Sequence, residues 1–375
     1  MLTYHFRQLD NYSNIGKERV PFVEKGWVGF LVKLKGIKPV YLEISDESGC
    51  VIGCFTGGLI RFFGINVLGS PFWWWVGQHM GFTLYNEHTH TDKTALVDEL
   101  IDYAFKNLKV GYVQMCSFNI DFEDIKNSRH KLIPGEQYTT CYIDLTQPVE
   151  VLSKKLKSGY RTSIRKFCKD GGTIEEDYSK EMIEEHHRQL EQVFVRNNLK
   201  TPNYRRKMSM LFQSPDFENG ASGKLGVYSI KAMLPIENGD VVENKCVASS
   251  YYIHNGYMAM FSSNASYSEY LRSCPNQALT WHAMMAFKDA GIHYLDMGGG
   301  SYKLNFSGGG WEPKPIVICS KNALNYFIIL GLKRSYGKVS SALGKARNWV
   351  KETLFRQSNF GKKIAVQNPS DQGKK

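Results

Sequence analysis

Two short segments of the chain match each other, and that match limits the folds open to it. Ala104-Phe-Lys-Asn-Leu-Lys-Val-Gly-Tyr-Val-Gln-Met115 aligns without a gap on Ala286-Phe-Lys-Asp-Ala-Gly-Ile-His-Tyr-Leu-Asp-Met297, sharing Ala, Phe, Lys, Tyr and Met. Five identities in twelve lie within reach of chance over all offsets. Context is what argues for duplication, because both segments read as a helix running into a strand. The 375 residues then form two α/β units, in keeping with a length that suits two or three domains.

Periodicity fills in the two units. Residues 40–44 and 51–55 read as strands around the turn-forming Asp46-Glu-Ser-Gly49. Residues 94–106 place Leu96, Leu100, Tyr103 and Ala104 on one helical face; 112–116 and 139–145 read as strands. Thr146 is the predicted cap of a helix starting near Pro148, a residue suited to a first turn. Beyond it come a strand at 173–176, helices at 180–198 and 204–212, and strands at 224–233, 241–254 and 257–262. A helix at 277–290 leads into a strand at 293–297. The expected division is an N-terminal domain 1–146, a C-terminal domain 147–320 and a tail 321–375.

The charge is concentrated in that tail. Of 47 Lys+Arg and 36 Asp+Glu, residues 321–375 hold 12 and 2, leaving 35 against 34 for the body. A neutral body argues against DNA binding and against RNA as the main partner. In the tail, Leu332, Tyr336, Val339, Leu343, Ala346, Val350 and Leu354 recur at helical steps with Lys and Arg between them. Residues 332–356 therefore suit an amphipathic helix on an anionic membrane, or one docked on the body with its basic face in solvent. The apolar stretch 323–332 is about half of the ~20 residues a spanning helix needs. The start shows no basic-then-apolar pattern, and eight sparse cysteines form no disulfide framework. A cytoplasmic protein, peripheral on the inner face of the membrane, is expected.

Three stretches carry residues suited to chemistry. On a helix, Lys157, Arg161 and Arg165 share one face, with Lys166 beside them, a row that suits phosphate as well as it suits a solvated helix surface. Tyr294-Leu-Asp296-Met-Gly-Gly-Gly300 ends a strand in Asp and glycine, followed by Lys303. There Gly298 and Gly299 either let backbone approach a ligand or simply turn tightly. Ser262-Ser263-Asn264 and Asn276 flank a loop before a helix that Asn276 is suited to cap. No P-loop, G-x-G-x-x-G or G-x-S-x-G motif is present. Cys50 and Cys54 lack a second pair, so no metal site is expected; His88-Thr-His90 reads as a surface loop, His186-His187 as solvent-facing and Trp73–Trp75 as packing.

In combination these segments resemble the tandem acetyltransferase-like (GNAT-like) superfamily that includes the Fem-type peptidyltransferases, and within it the envelope and exopolysaccharide branch. The resemblance rests on Tyr142-Ile-Asp-Leu145, Tyr160-Arg161 to Arg165-Lys166 and Gly171-Gly172. It continues through Ser262-Ser-Asn264, Pro275-Asn-Gln-Ala-Leu-Thr-Trp281, Ala290-Gly291 and Asp296 to Phe306, with Ser70-Pro71-Phe72 and Gly81-Phe82. It covers about residues 25–320. It implies an α/β (α+β) fold of two GNAT-like units, each a mixed, mainly antiparallel sheet flanked by helices. It also implies direct acyl transfer from an activated donor to a cell-envelope or polysaccharide precursor. Arg161, Arg165 and Lys166 would bind anionic groups; Ser263, Asn264, Asn276, Trp281, Gly298 and Gly299 would line the substrate channel. Lys303 would stand at the reaction centre, and Asp296 would orient the acceptor or take its proton. The implied co-substrate is acyl-CoA or aminoacyl-tRNA, with no tightly bound cofactor. Arg272-Ser-Cys-Pro-Asn276 lacks the glycines of an acyl-CoA loop, and no helical-hairpin arm of the Fem type is found. A catalytically inactive scaffold of a surface-polysaccharide complex is the alternative outside enzymes.

Overall fold

The computed structural model describes residues 3–10 and 20–335, apart from 74, 76–78, 86–90, 119, 136–137, 239–240 and 315. His88, His90, Trp74 and most of the proposed membrane helix lie outside them. Residues Met1–Asn325 make one compact unit; of the second, Tyr326–Lys375, residues 326–335 are described and are helical.

The first half contains β1 (His5–Gln8), α1 (Lys25–Lys35), β2 (Lys38–Ser45), β3 (Val51–Phe62), β4 (Ile65–Ser70), β5 (Gly81–Leu84), α2 (Lys93–Lys106), β6 (Tyr112–Met115) and β7 (Ile133–Pro134). Next come β8 (Tyr138–Thr140), β9 (Tyr142–Asp144), α3 (Val149–Lys155) and α4 (Ser158–Lys169). Then follow β10 (Thr173–Glu176), α5 (Lys180–Arg196), α6 (Arg205–Phe212), β11 (Glu218–Asn219), β12 (Gly226–Asn238), β13 (Val241–His254) and β14 (Met258–Ser266). The rest is α7 (Pro275–Asp289), β15 (Tyr294–Asp296), α8 (Leu304–Ser307), β16 (Glu312–Lys314) and β17 (Val317–Ser320). One sheet runs β1-β2-β3-β4-β6-β17-β7 with β5 on β3, and the other β10-β12-β13-β14-β15-β9 with β11 on β12.

The two matched segments occupy equivalent places. Each runs from the end of a helix, α2 or α7, into a strand that pairs parallel with an earlier one, β6 on β4 and β15 on β14. Even their turns agree: Lys109 (φ 55°) and Gly291 (φ 77°) are the aligned left-handed residues. Tyr112 and Tyr294 open the two strands, and Met115 and Met297 are buried. Apolar burial follows the same plan, with Leu96, Leu100 and Ala104 of α2 packed on the first sheet and Leu279, Ala283 and Phe287 of α7 on the second.

The exchange of strands between halves was not visible in the sequence. Residues 139–145, read as one strand, break at Cys141: β8 pairs with β16, whereas β9 crosses to β15 in the second sheet. In return, β17 from beyond residue 316 inserts between β6 and β7 of the first sheet. α1 also braces the other half, with Trp27 and Phe30 set edge-on to Phe217. The predicted Thr146 cap is instead part of a turn held by Asp144, whose Oδ1 accepts from the Thr146 amide and hydroxyl.

Candidate active site

Where β15 ends, a polar centre is sealed between the sheets. Asp296 and His79 are both fully buried. Asp296 Oδ1 accepts from the Thr140 hydroxyl and from the Gly298 amide (2.7 Å), which also reaches Thr140 Oγ1 (2.9 Å). Gly298 permits this because its φ of +64° folds its own N–H back toward the strand end. Asp296 Oδ2 has no hydrogen-bond partner and lies 3.9 Å from Nε2 of His79, neither of whose ring nitrogens has one. Burial raises the Asp296 carboxyl to about 6, against the pull of Thr140, Gly298, Lys303 and Lys314. Burial likewise pushes His79 down to about 3, with Lys314 adding to the effect, so the ring is neutral.

Two buried lysines flank this centre. Lys303 donates to the Met297 carbonyl and lies over the Phe261 ring, 4.0 Å from its centroid. Burial lowers Lys303 to about 8, while the Asp296 charge pulls it upward. Lys314 donates to the Phe118 carbonyl (3.3 Å) and sits over the Phe118 and Tyr142 rings. The face of an aromatic ring attracts an ammonium group electrostatically. Asp296 has no exposure in this structure, and its charge acts on Lys303 beside it.

Beside Lys303 the second sheet opens. β14 pairs with β15 only from Met258↔Tyr294 to Met260↔Asp296, yet β14 continues to Ser266. A bulge at Tyr251/Tyr252 leaves Ser262 without a cross-strand partner on β13 and turns this end of β14 away. The gap is a pocket of about 440 Å³ lined by Asn264, Ser266, Asn276, Tyr160, Arg196 and Tyr302, among others. Asn264 Nδ2 and Asn276 Oδ1 are buried there without partners, so the pocket offers both a donor and an acceptor to a polar ligand.

Several predicted site residues have other duties. Arg161 donates to the carbonyls of Ser153, Lys154 and Leu156 (3.1, 3.3 and 2.6 Å), closing the C-terminal end of α3. Arg161→Ala should therefore cost about 2 kcal/mol of stability, read by urea unfolding, with donor affinity unchanged. Lys166 pairs with Asp170, and Arg165 is exposed. Ser263 is buried and bonded to His186. Trp281 packs against the α7 core. Asn276 lies inside α7, whose cap position is Cys274, and donates to Ser266 Oγ. Gly298 serves the Asp296 carboxylate, while Gly299 is exposed.

His186 and His187 are buried, contrary to expectation. His186 bridges Ser249 (2.8 Å) and Ser263 (2.9 Å), tying α5 to β13 and β14. The spacing Met182, Ile183, His186, Leu190 carries this inward face in the sequence.

A cation cluster was also missed. Lys207 of α6 is buried over the Tyr204 and Tyr251 rings and donates to Ser262 Oγ (3.3 Å). Burial lowers it to about 8. Lys35 is lowered too, by burial and by the charges of Lys207 and Arg206. The charges that act on these two lysines come from each other's neighbourhood, Arg206 and Lys207 on Lys35 and Tyr204 on Lys207. Like charges gathered in this way repel one another, and an anion relieves that repulsion. Ser262, the bulged residue two before Asn264, ties the cluster to β14 on the side covered by α5 and α6, where Ser263 meets His186. Among the described residues no group of His, Cys, Asp and Glu is placed to hold a metal, and no helix is long and apolar enough to cross a membrane.

No family model matches the sequence, and no curated protein does. Among solved structures, FemX is similar over 82% of this chain and 94% of its own, at 12% identity and a TM-score of 0.62. L-PGS from Bacillus licheniformis aligns over 86% of this chain and 98% of its own, at 12% identity and a TM-score of 0.47. A tandem GNAT protein from the clavulanic acid biosynthesis pathway aligns over 85% and 99%, at 7% identity and a TM-score of 0.41. The FemX likeness establishes the tandem GNAT-like, Fem-type fold that the sequence motifs led us to expect.

Proposed function

We propose that the protein transfers an acyl or aminoacyl group from an activated ester or thioester to an amine or hydroxyl of an anionic acceptor. A cell-envelope or surface-polysaccharide precursor is the acceptor class. The observation that carries this reading is the opening of β14 from β15, with Lys303 beside it and the cluster of Lys35, Arg206 and Lys207 tied to the same strand through Ser262. The donor carbonyl lies along the open edge of β14, and the acceptor's acidic group on the cation cluster. Attack forms the new C–N or C–O bond and breaks the donor's ester or thioester; the acceptor's proton leaves with the departing group. Lys303 supplies positive charge to the oxyanion that develops.

One feature favours an aminoacyl ester, the Fem-like alternative, over acyl-CoA. The stretch before α7 is a 3-10 helix, Ser268–Ser273, followed by Cys274 at φ 59°. It offers no run of glycine amides to cradle a pyrophosphate at the helix start. The basic tail is read as holding the enzyme at an anionic membrane, near a lipid-linked acceptor. The test incubates full-length protein with acyl-CoA or charged tRNA and an envelope-precursor extract, with products read by mass spectrometry. Absence of product with both donors, and of any thermal shift by either, would leave only the scaffold reading.

A further inference from the structure

We propose that the corner formed by the β3–β4 hairpin tip, the turn after α2 and the segment 321–325 is a docking surface for an anionic lipid bilayer. It deepens the membrane-proximal reading above but stands on residues of the folded body rather than on the tail.

The three segments meet at Gly111. Its amide donates to the Asn66 carbonyl (2.8 Å), and its carbonyl accepts from the Lys321 amide (3.1 Å) and Asn325 Nδ2 (3.2 Å). Asn66 in turn donates to the Lys109 carbonyl (3.2 Å). A Cβ built on Gly111 would strike Asn325 and Ile65, so the packing here is close. The corner therefore presents one continuous surface.

Its most exposed apolar group is held there at a conformational cost. Phe63 occupies the hairpin tip, beyond the last pair Phe62↔Ile65, and is 78% exposed. Its φ is +44°, a left-handed conformation that suits Asn or Gly and is unfavourable for a bulky side chain. Folding gains nothing from an aromatic ring in water on a backbone that disfavours it. Leu324, 68% exposed, is the second apolar group. Around them stand Arg61, Lys106, Lys109 and Lys321, all exposed and without an ion pair among the described residues. No acidic residue occurs in 61–66, 106–111 or 321–325. The nearest acids of the adjoining groove, Glu99 and Asp102, are paired with Arg129.

Apolar side chains projecting from a ring of unpaired cations match a bilayer interface, where rings enter the headgroup layer and ammonium groups meet lipid phosphates. Nucleic acid would satisfy the cations but would leave Leu324 in water. The chain also leaves the body at this corner, at Asn325, and continues into the strongly basic tail.

The test is co-sedimentation of the full chain with phosphatidylcholine vesicles, with and without phosphatidylglycerol. Binding to the anionic vesicles is expected, and Phe63→Asn should weaken it roughly tenfold, the effect of losing one partly inserted phenyl ring. The same substitution should raise the melting temperature, which separates lost contact from lost fold. Arg61→Glu with Lys109→Glu should abolish the dependence on phosphatidylglycerol. If both variants bind as the wild type does while Lys345→Glu with Lys351→Glu abolishes binding, the corner proposal fails and the tail reading survives. No vesicle binding at all overturns both. Binding of tRNA that is lost on Lys109→Glu, with vesicles ignored, would make the corner a nucleic-acid surface and overturn the proposal.

Discussion

Lys303→Met should lower kcat/KM for acyl transfer by about 100- to 1000-fold, the usual loss when one donor to a developing oxyanion is removed. The fold should survive. Lys303 is buried with its ammonium desolvated, and an apolar chain of similar length fills the same space over Phe261. The pH dependence gives an independent check. Burial sets the ammonium at about 8, so it is charged at neutral pH and loses its charge as pH rises through that value. Activity should fall along this alkaline limb. The Asp296 charge raises the Lys303 value, so Asp296→Asn should move the limb to lower pH while keeping an oxygen for Thr140 and Gly298. A folded Lys303→Met enzyme with unchanged kcat/KM would remove Lys303 from the chemistry.

Asp296→Asn has a second, separable consequence. Its folded value of about 6 lies above the ordinary 3.8, so the native state holds its proton more tightly than the unfolded chain does. The ionised carboxylate costs stability above about pH 6, and the cost disappears as pH falls toward 4. The asparagine protein should therefore be the more stable at pH 8 and show no advantage near pH 4. Urea midpoints at both values decide it.

Lys207→Met should stabilise the protein and impair the acceptor step together. The lysine falls from 10.5 to about 8 on folding, so the native state binds fewer protons than the unfolded chain between those values. Holding the charge at neutral pH therefore costs up to about 3 kcal/mol, in full below about pH 8 and fading toward 10.5. Methionine removes that cost, and the midpoint of unfolding should rise most at neutral pH. KM for an acceptor bearing phosphate or carboxylate should rise tenfold or more with kcat little changed. A neutral acceptor analogue should lose nothing. A Lys207→Met protein with wild-type stability and wild-type KM would show that the cluster neither stores repulsion nor meets an anion.

What was legible in the sequence was what repeats along it. The apolar spacing of α2 and the runs of β12 and β13 lie close to their expected places, and the matched helix-to-strand segments proved structurally equivalent. That Asp296 and Lys303 stand near each other was readable, because a strand ending in Asp and glycine is a local signal. His79 and Lys207 are not local: each reaches its partners from a distant segment, and a lone Lys in a short helix resembles any solvated one. Arg161 misled for the opposite reason. Its spacing with Lys157 and Arg165 is that of an anion-binding row, and only the fold shows one guanidinium nitrogen, Nη1, turned to three carbonyls. Ser263 shows the same limit, since a strand hydroxyl serves a ligand or a buried histidine according to which face it meets.

The crossing of β9 into one sheet and β17 into the other has a consequence for how such a protein can be divided. A cut near residue 146 does not separate two modules. It would strip β17 from the first sheet, leaving β6 with an unpaired edge, and would leave β15 without its outer neighbour. Each half carries a part that belongs to the other, as two hands do when the fingers are laced. Neither half is expected to be soluble when expressed alone, and loss of structure in one should propagate to the other.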